Sequence, residues 1–189
     1  MNSYISGEKI YLRAPTLEDA EGQWHEWLSD EETTRWMADQ YWPNSIAKQI
    51  DYVKNSETDK SKLLLSIINK SDNKMIGVCS LSQINYIHRY CSQAILIGDK
   101  KFRNGPHMLE AVSLLLRTAF IRLNMRLVRS AYVETNEASE VIHKTFKFKE
   151  AGKFNDMIWD RGKYVPLVLV SLSQKDWMER NPSLVIVEV

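Results

Sequence analysis

The chain has 189 residues, 26% of them charged, with a formal net charge of +1, so its overall charge gives no drive toward nucleic acid or an anionic membrane. Two cysteines without a CxxC pair offer no disulfide framework, and no apolar run approaches the roughly 20 residues that a bilayer crossing needs. The opening MNSYISGEKIYL lacks the basic-then-apolar order of a secretory leader. A cytoplasmic protein is expected, folded as one domain over 1–189, with no nucleic-acid or membrane partner.

Residues 8–14 alternate Ile10, Leu12 and Ala14 against Lys9, Tyr11 and Arg13, the pattern of a half-buried strand that Pro15 ends. Thr16-Leu17-Glu18-Asp19 reads as a capping box with Asp in place of Glu. It starts a helix whose buried face is expected to be Leu17, Ala20, Trp24, Trp27 and Leu28. Ser29-Asp30 breaks that helix, a short helix is expected over 31–37, and Asn44-Ser45 caps another lined by Ile46, Ala47, Ile50 and Val53. Residues 55–62 are polar and read as a loop.

Three strands in succession follow, over 63–69, 75–84 and 89–97, and their short links favour an antiparallel meander. The third ends at Gly98, and a basic loop (Asp99, Lys100, Lys101, Phe102, Arg103, Asn104, Gly105, Pro106) leads to a long helix burying Met108, Val112, Leu115, Leu116 and Ala119. A strand that feeds a loop onto a helix N-terminus is an anion-binding device, because the first helical N–H groups lack internal partners and face outward. A strand over 126–133, a short helix over 136–146 (Ala138, Val141, Ile142, Phe146) and a hairpin of 148–159 with 164–173 complete the pattern, and Asp176-Trp177 begins a tail. The strand–helix–strand crossover implies one parallel pairing with antiparallel strands on either side, hence a mixed α/β sheet, mostly antiparallel, with helices on its faces.

Four segments in combination resemble the GNAT acetyltransferases, in particular the branch of ribosomal-protein and nucleotide-sugar N-acetyltransferases. They are IGVCSL; ILIGDKKFRN followed by HMLEAVSLLLRTAF; LNMRLVRSAYVETNEAS with VIHKTFKFKEAGKF; and YVPLVLVSLSQKDW. The N-terminal EKIYLRAPTLEDAEGQWHEWLSDEETTRWM is similar to the same branch. The resemblance implies acetyl-CoA as donor, laid in a cleft where two central parallel strands splay apart. Pantetheine would pair with the backbone of Ile95, Leu96 and Ile97. The pyrophosphate would sit on the loop and helix start, with Lys101, Arg103, Asn104, Gly105, His107 and Met108 as contacts. The family loop reads Arg/Gln-x-x-Gly-x-Gly/Ala; here Asn104 and Pro106 replace the two glycines. Asn tolerates left-handed backbone, Pro106 suits a first helical position but removes one donor, and Arg103 and Lys101 are the candidates to compensate.

Acetyl transfer from a thioester to an amine needs a neutral amine, an N–H donor for the tetrahedral oxyanion and an acid for the leaving thiolate. The family often places a tyrosine four residues before the glycine of its Leu-Gly-Phe; here His143 stands at that position and Lys147 at the glycine. His143 is therefore the catalytic candidate, with a solvent-facing helix residue as the alternative. Asn136, an N-cap by position, also helps hold CoA in the family, and Ser139 is a candidate for the pantetheine arm. Glu110 suits the helix dipole better than proton removal. Substrate-side candidates are Trp36, Tyr41 and His88, with Trp42, His25 and Gln93 behind them. The histidines and cysteines show no metal spacing, so no metal is expected.

The expected activity is N-acetylation of a primary amine by direct attack, on a small-molecule or peptide acceptor, in a monomer or homodimer. A nucleotide-linked amino sugar is the first acceptor considered. A protein N-terminus follows, then an aminoglycoside, for which Asp30-Glu31-Glu32 would supply an acidic groove. The rival is a non-catalytic binding module whose CoA loop has changed, motivated by Asn104 and Pro106.

Overall fold

A computed structural model describes residues 3–37, 40–103 and 105–184. In chain order the elements are β1 (Ile5–Ser6), β2 (Ile10–Arg13), α1 (Leu17–Glu21), α2 (Gln23–Ser29), α3 (Glu31–Thr34), α4 (Ile46–Thr58), β3 (Leu63–Asn69), β4 (Met75–Asn85), β5 (Tyr90–Ile97), α5 (Pro106–Arg117), β6 (Leu127–Val133), α6 (Glu137–Thr145), β7 (Lys149–Asp160), β8 (Lys163–Ser173) and α7 (Gln174–Arg180). The strands form an eight-stranded sheet in the order β1-β2-β3-β4-β5-β6-β8-β7. The pairs β1–β2, β2–β3, β3–β4, β6–β8 and β7–β8 are antiparallel. The parallel pair is β5–β6, in register at Tyr90↔Leu127, Cys91↔Val128 and Ser92↔Arg129, after which β5 runs on to Ile97 and β6 to Val133. The expected mixed, mostly antiparallel sheet is what the chain adopts.

Contacts group the chain into two compact units, the first made of residues up to Ser82 with Ala94–Leu116, the second of Gln83–Gln93 with the residues from Arg117 on. In the first, Thr16 and Asp19 close the capping box, with Thr16 N donating to Asp19 Oδ2 at 2.9 Å and Asp19 N to Thr16 Oγ1 at 3.3 Å. Asp19 also takes both terminal nitrogens of Arg13, at 2.6 and 2.8 Å, and the Ser66 hydroxyl at 2.8 Å. Burial pushes its carboxyl pKa up, but these donors outweigh burial and hold it below the usual range. The helix expected to run unbroken from Thr16 is divided at Gly22, so Ala20, Trp24 and Trp27 go inside while Leu17 stays out. β2 is covered on both faces, with Tyr11 buried beside Ile10 and Leu12, so its alternation did not mark a solvent face. α4 runs on to Thr58, into the stretch expected as loop, and buries Gln49 and Val53 rather than Ile46 and Ala47.

In the second unit the long helix gives way to a π-helical turn over Thr118–Arg122, and Phe120 packs on Trp177 with ring centroids 5.3 Å apart. Trp177 belongs to α7, not to a loose tail. Arg161 and Gly162, both at positive φ, make the two-residue turn that joins β7 to β8, with Asp160 opposite Lys163. In α6 the inward side is Ile142, His143 and Phe146; Ala138 and Val141 face out. Lys147 has φ 61°, the left-handed conformation that explains a glycine there in the resembling sequences.

α5 is fastened to β2 by one carboxylate. Glu110 accepts from the backbone N–H of Lys9 at 2.9 Å, of Ile10 at 3.2 Å and of Glu8. The approach leaves no room for a side chain at Gly7, where a Cβ would lie 2.1 Å from Glu110 Oε1. Glu110→Ala would leave two of these donors to water and the part-buried Ile10 N–H without its acceptor, and should cost about 1 kcal/mol in chemical denaturation. An unchanged midpoint would show that the clamp contributes nothing.

Candidate functional site

The loop after β5 is built from close backbone approaches. Gly77 of β4 has no space for a Cβ, which would meet the Leu96 carbonyl at 2.3 Å and Ile97 Cα at 3.0 Å. This lets the Ile76 carbonyl accept from both Gly98 N, at 3.0 Å, and Asp99 N, at 3.2 Å, so the strand ends there. A Cβ on Gly98 would lie 1.8 Å from the Trp27 indole, so the turn is filled by Trp27 instead. Asp99 then caps a 3-10 turn over Lys100–Phe102, accepting from Lys101 N at 3.0 Å. α5 starts at Pro106, the first helical position that suits a residue without an N–H.

The loop's expected anion contacts divide in two. The Lys101 side chain is exposed and carries no ion pair among the described residues. Gly105 has open space where its Cβ would stand, so the backbone there is accessible to a ligand group. His107 lies edge-on to Phe102 at 4.6 Å, and Met108 N donates to Gly105 O at 3.2 Å. Arg103 instead turns back on the loop, its Nε donating to Ile97 O at 3.1 Å and its Nη2 to Gly98 O at 3.2 Å and to Thr33 Oγ1. The Ile97 carbonyl is thus occupied, while Ile95 and Leu96 are half-buried in β5. Asn104 lies outside the described residues.

Beside this loop is a cavity of about 340 Å³ whose lining includes Gln23, Glu26, Trp27, Asp30, Lys100 and Lys101. Asp30 and Glu32 both pair with Lys100, at 3.3 and 2.5 Å, so two acids of the 30–32 run are already committed. Of the aromatic candidates in this unit, Trp36 is covered by the Arg35 guanidinium at 4.0 Å, while Tyr41 is 61% and Trp42 73% exposed.

The second unit holds the α6 candidates. Asn136 caps the helix, its side chain accepting from Ser139 N at 3.1 Å. His143 is buried, stacked on Tyr132 at 5.3 Å with Phe148 edge-on at 5.1 Å. Nδ1 lies 2.7 Å from the Ser139 carbonyl, which can only accept, so Nδ1 carries the proton. Nε2 then accepts from Ser130 Oγ at 2.8 Å. Burial lowers the imidazole pKa and the Ser139 bond offsets that only in part, so the ring is neutral near pH 7 with both nitrogens engaged. His143 is therefore not a solvent-facing helix residue, and it presents no free nitrogen to a leaving group. His88 sits exposed in the β4–β5 turn, its N–H donating to Asn85 at 2.7 Å. Both cysteines are free and buried, and burial pushes their thiols up, Cys91 to about 12. Sequence reading places Trp27 on a buried helix face but gives neither it nor Ile76 or Thr33 a part in shaping this loop. The facing charges of 30–32 and 100–101 were the only signal that α3 and the loop meet.

The profile of the acetyltransferase (GNAT) domain family matches residues 9–149. The chain belongs to this family. Its reaction class is accordingly acetyl transfer from acetyl-CoA to an amine. No curated protein sequence matches. Among solved structures, the spermidine N-acetyltransferase from Vibrio cholerae in complex with CoA and spermine superposes with a TM-score of 0.83 at 17% identity, covering 91% of this chain and 99% of that one. A probable acetyltransferase gives 0.79 at 22% identity, over 90% and 96%. A GNAT-family acetyltransferase from Bacillus anthracis gives 0.77 at 15% identity, over 90% and 98%. No helix among the described residues is long and apolar enough to cross a membrane.

His143 makes a pH prediction for this acetyltransferase. Its folded pKa lies below the unfolded value of 6.5, so the unfolded chain binds more protons between the two. The stability it contributes is complete above pH 6.5 and is lost as pH falls through the folded value. Melting temperature should drop from pH 7 to pH 5, and His143→Gln should flatten that slope. An equal slope in the variant would remove His143 as its source.

Proposed function

We propose that this GNAT acetyltransferase acetylates the primary amine of a small cationic acceptor of the polyamine class. The observation that carries the reading is the cavity beside the donor loop. Glu26 is exposed there, without an ion pair among the described residues, in a lining that Trp27 shares. A carboxylate beside an aromatic ring suits an ammonium group. The V. cholerae relative of the same fold holds CoA and spermine, which adds support to the acceptor class.

Acetyl-CoA supplies the activated thioester. In this reading Lys101, Gly105, Asn104 and the first turn of α5, with His107 and Met108, receive the pyrophosphate, and the backbone of Ile95 and Leu96 is offered to pantetheine. Glu110 is taken up by three backbone donors and is withdrawn as a base. Asn136, Ser139 and His143 are positioning residues. The neutral imidazole ties the start of α6, through the Ser139 carbonyl, to Ser130 of β6, and no proton is routed through it.

A second reading keeps the nucleotide-linked amino sugar, on the strength of the exposed Trp42 ring, which suits stacking on a base. Thiol-release assays across polyamines, nucleotide-linked amino sugars, aminoglycosides and N-terminal peptides separate them. Polyamines should give the highest kcat/KM by about tenfold or more, and Glu26→Gln should raise the acceptor KM while leaving acetyl-CoA affinity alone. Turnover confined to nucleotide sugars and lost in Trp42→Ala would transfer the assignment to the second reading.

A further inference from the structure

Two cations of the donor loop are tied to neighbouring groups of the chain. Arg103 reaches the carbonyls of Ile97 and Gly98 and the hydroxyl of Thr33. Thr33 donates in turn to Asp30 Oδ2. Asp30 closes the circuit, because its carboxylate also takes Lys100 at 3.3 Å, and Glu32 takes the same ammonium at 2.5 Å. One short stretch at the start of α3 thus holds Lys100 directly and Arg103 through a single hydroxyl. Gly98 is pressed against Trp27 on the preceding helix, so the chain cannot easily leave this arrangement. A hydroxyl that accepts from a guanidinium and donates to a carboxylate has used its proton and is fixed in orientation. Removing it leaves Arg103 without its side-chain anchor and Asp30 without its closest donor. Arg103 would then be free to swing, and the two carbonyls it covers would lose a donor.

We propose that Thr33 and Asp30 position the donor loop, and that Arg103 is a positioning residue of that loop rather than a phosphate ligand. Lys101 is left as the loop cation that meets the anion. This rests on the reading of the loop as the acetyl-CoA site.

The test is acetyl-CoA affinity of the full chain, without acceptor, measured across a range of salt concentrations. Direct phosphate contact gives an affinity that falls as salt screens the pair, so losing the contacting cation flattens the salt dependence. Lys101→Ala should flatten it. Thr33→Val, Asp30→Asn and Arg103→Ala should each weaken binding by about fivefold, the scale of one such hydrogen bond, and keep the salt dependence of the parent. Thr33→Ser, which retains the hydroxyl, should bind like the parent. A parent-like affinity in both Thr33→Val and Asp30→Asn would overturn the proposal, as would a flattened salt dependence in Arg103→Ala. A parent protein that binds no acetyl-CoA at all would instead overturn the donor-site reading beneath it.

Discussion

The first unit depends on how β5 ends. A single carbonyl, that of Ile76, takes two successive N–H groups, and the glycine that follows it in β4 lets the neighbouring backbone come close enough for this. Once both N–H groups are spent on one carbonyl, the chain cannot continue as a strand, because in a strand successive N–H groups point to opposite sides. The turn at Gly98 is then filled by an indole from α2, and a side chain at that position would collide with it. The turn leads directly into the Asp99 cap, the 3-10 segment and the start of α5 at a residue that needs no N–H partner.

Charge is arranged around the turn for geometry more than for energy. The pairs of Lys100 with Asp30 and Glu32 are exposed and screened by salt, so their value lies in fixing direction. The same economy appears at Glu110, whose carboxylate faces backbone donors of Lys9 and of Ile10 at the start of β2. It appears again at Asp19, which serves a helix cap, an arginine fork and a serine at once. Acidic groups that a reading of the chain alone would offer as catalytic bases are largely committed to holding segments together. Glu26 differs, since it lines a cavity without an ion pair among the described residues.

Much of the architecture was legible because it follows local rules. The three meander strands, the Thr16 capping box, the Pro106 helix start and the Asn136 cap are each decided within a few residues, and each appears as expected. What was not legible depended on contacts distant in sequence. The burial of Tyr11 on the second face of β2 and of Gln49 in α4 comes from packing that no alternation records. Gly22 divides a helix that periodicity would run through, since periodicity counts side chains and takes no account of a backbone break. His143 was found by its place in a motif, but its meaning changed. A histidine at that position suggests proton transfer, and burial against Tyr132 and Phe148 with both nitrogens bonded makes it a neutral fastening. Arg103 was likewise recognised as a loop cation, while the direction of its guanidinium depends on Thr33, seventy residues earlier.

In the proposed function the acyl donor is held on the loop between the end of β5 and the first turn of α5. Hydrogen–deuterium exchange of the full chain, with and without saturating acetyl-CoA, tests it most directly. The donor should slow exchange most at the backbone N–H groups of the stretch 99–109, Pro106 excepted. Donor binding that leaves those amides exchanging as in the free protein would contradict it.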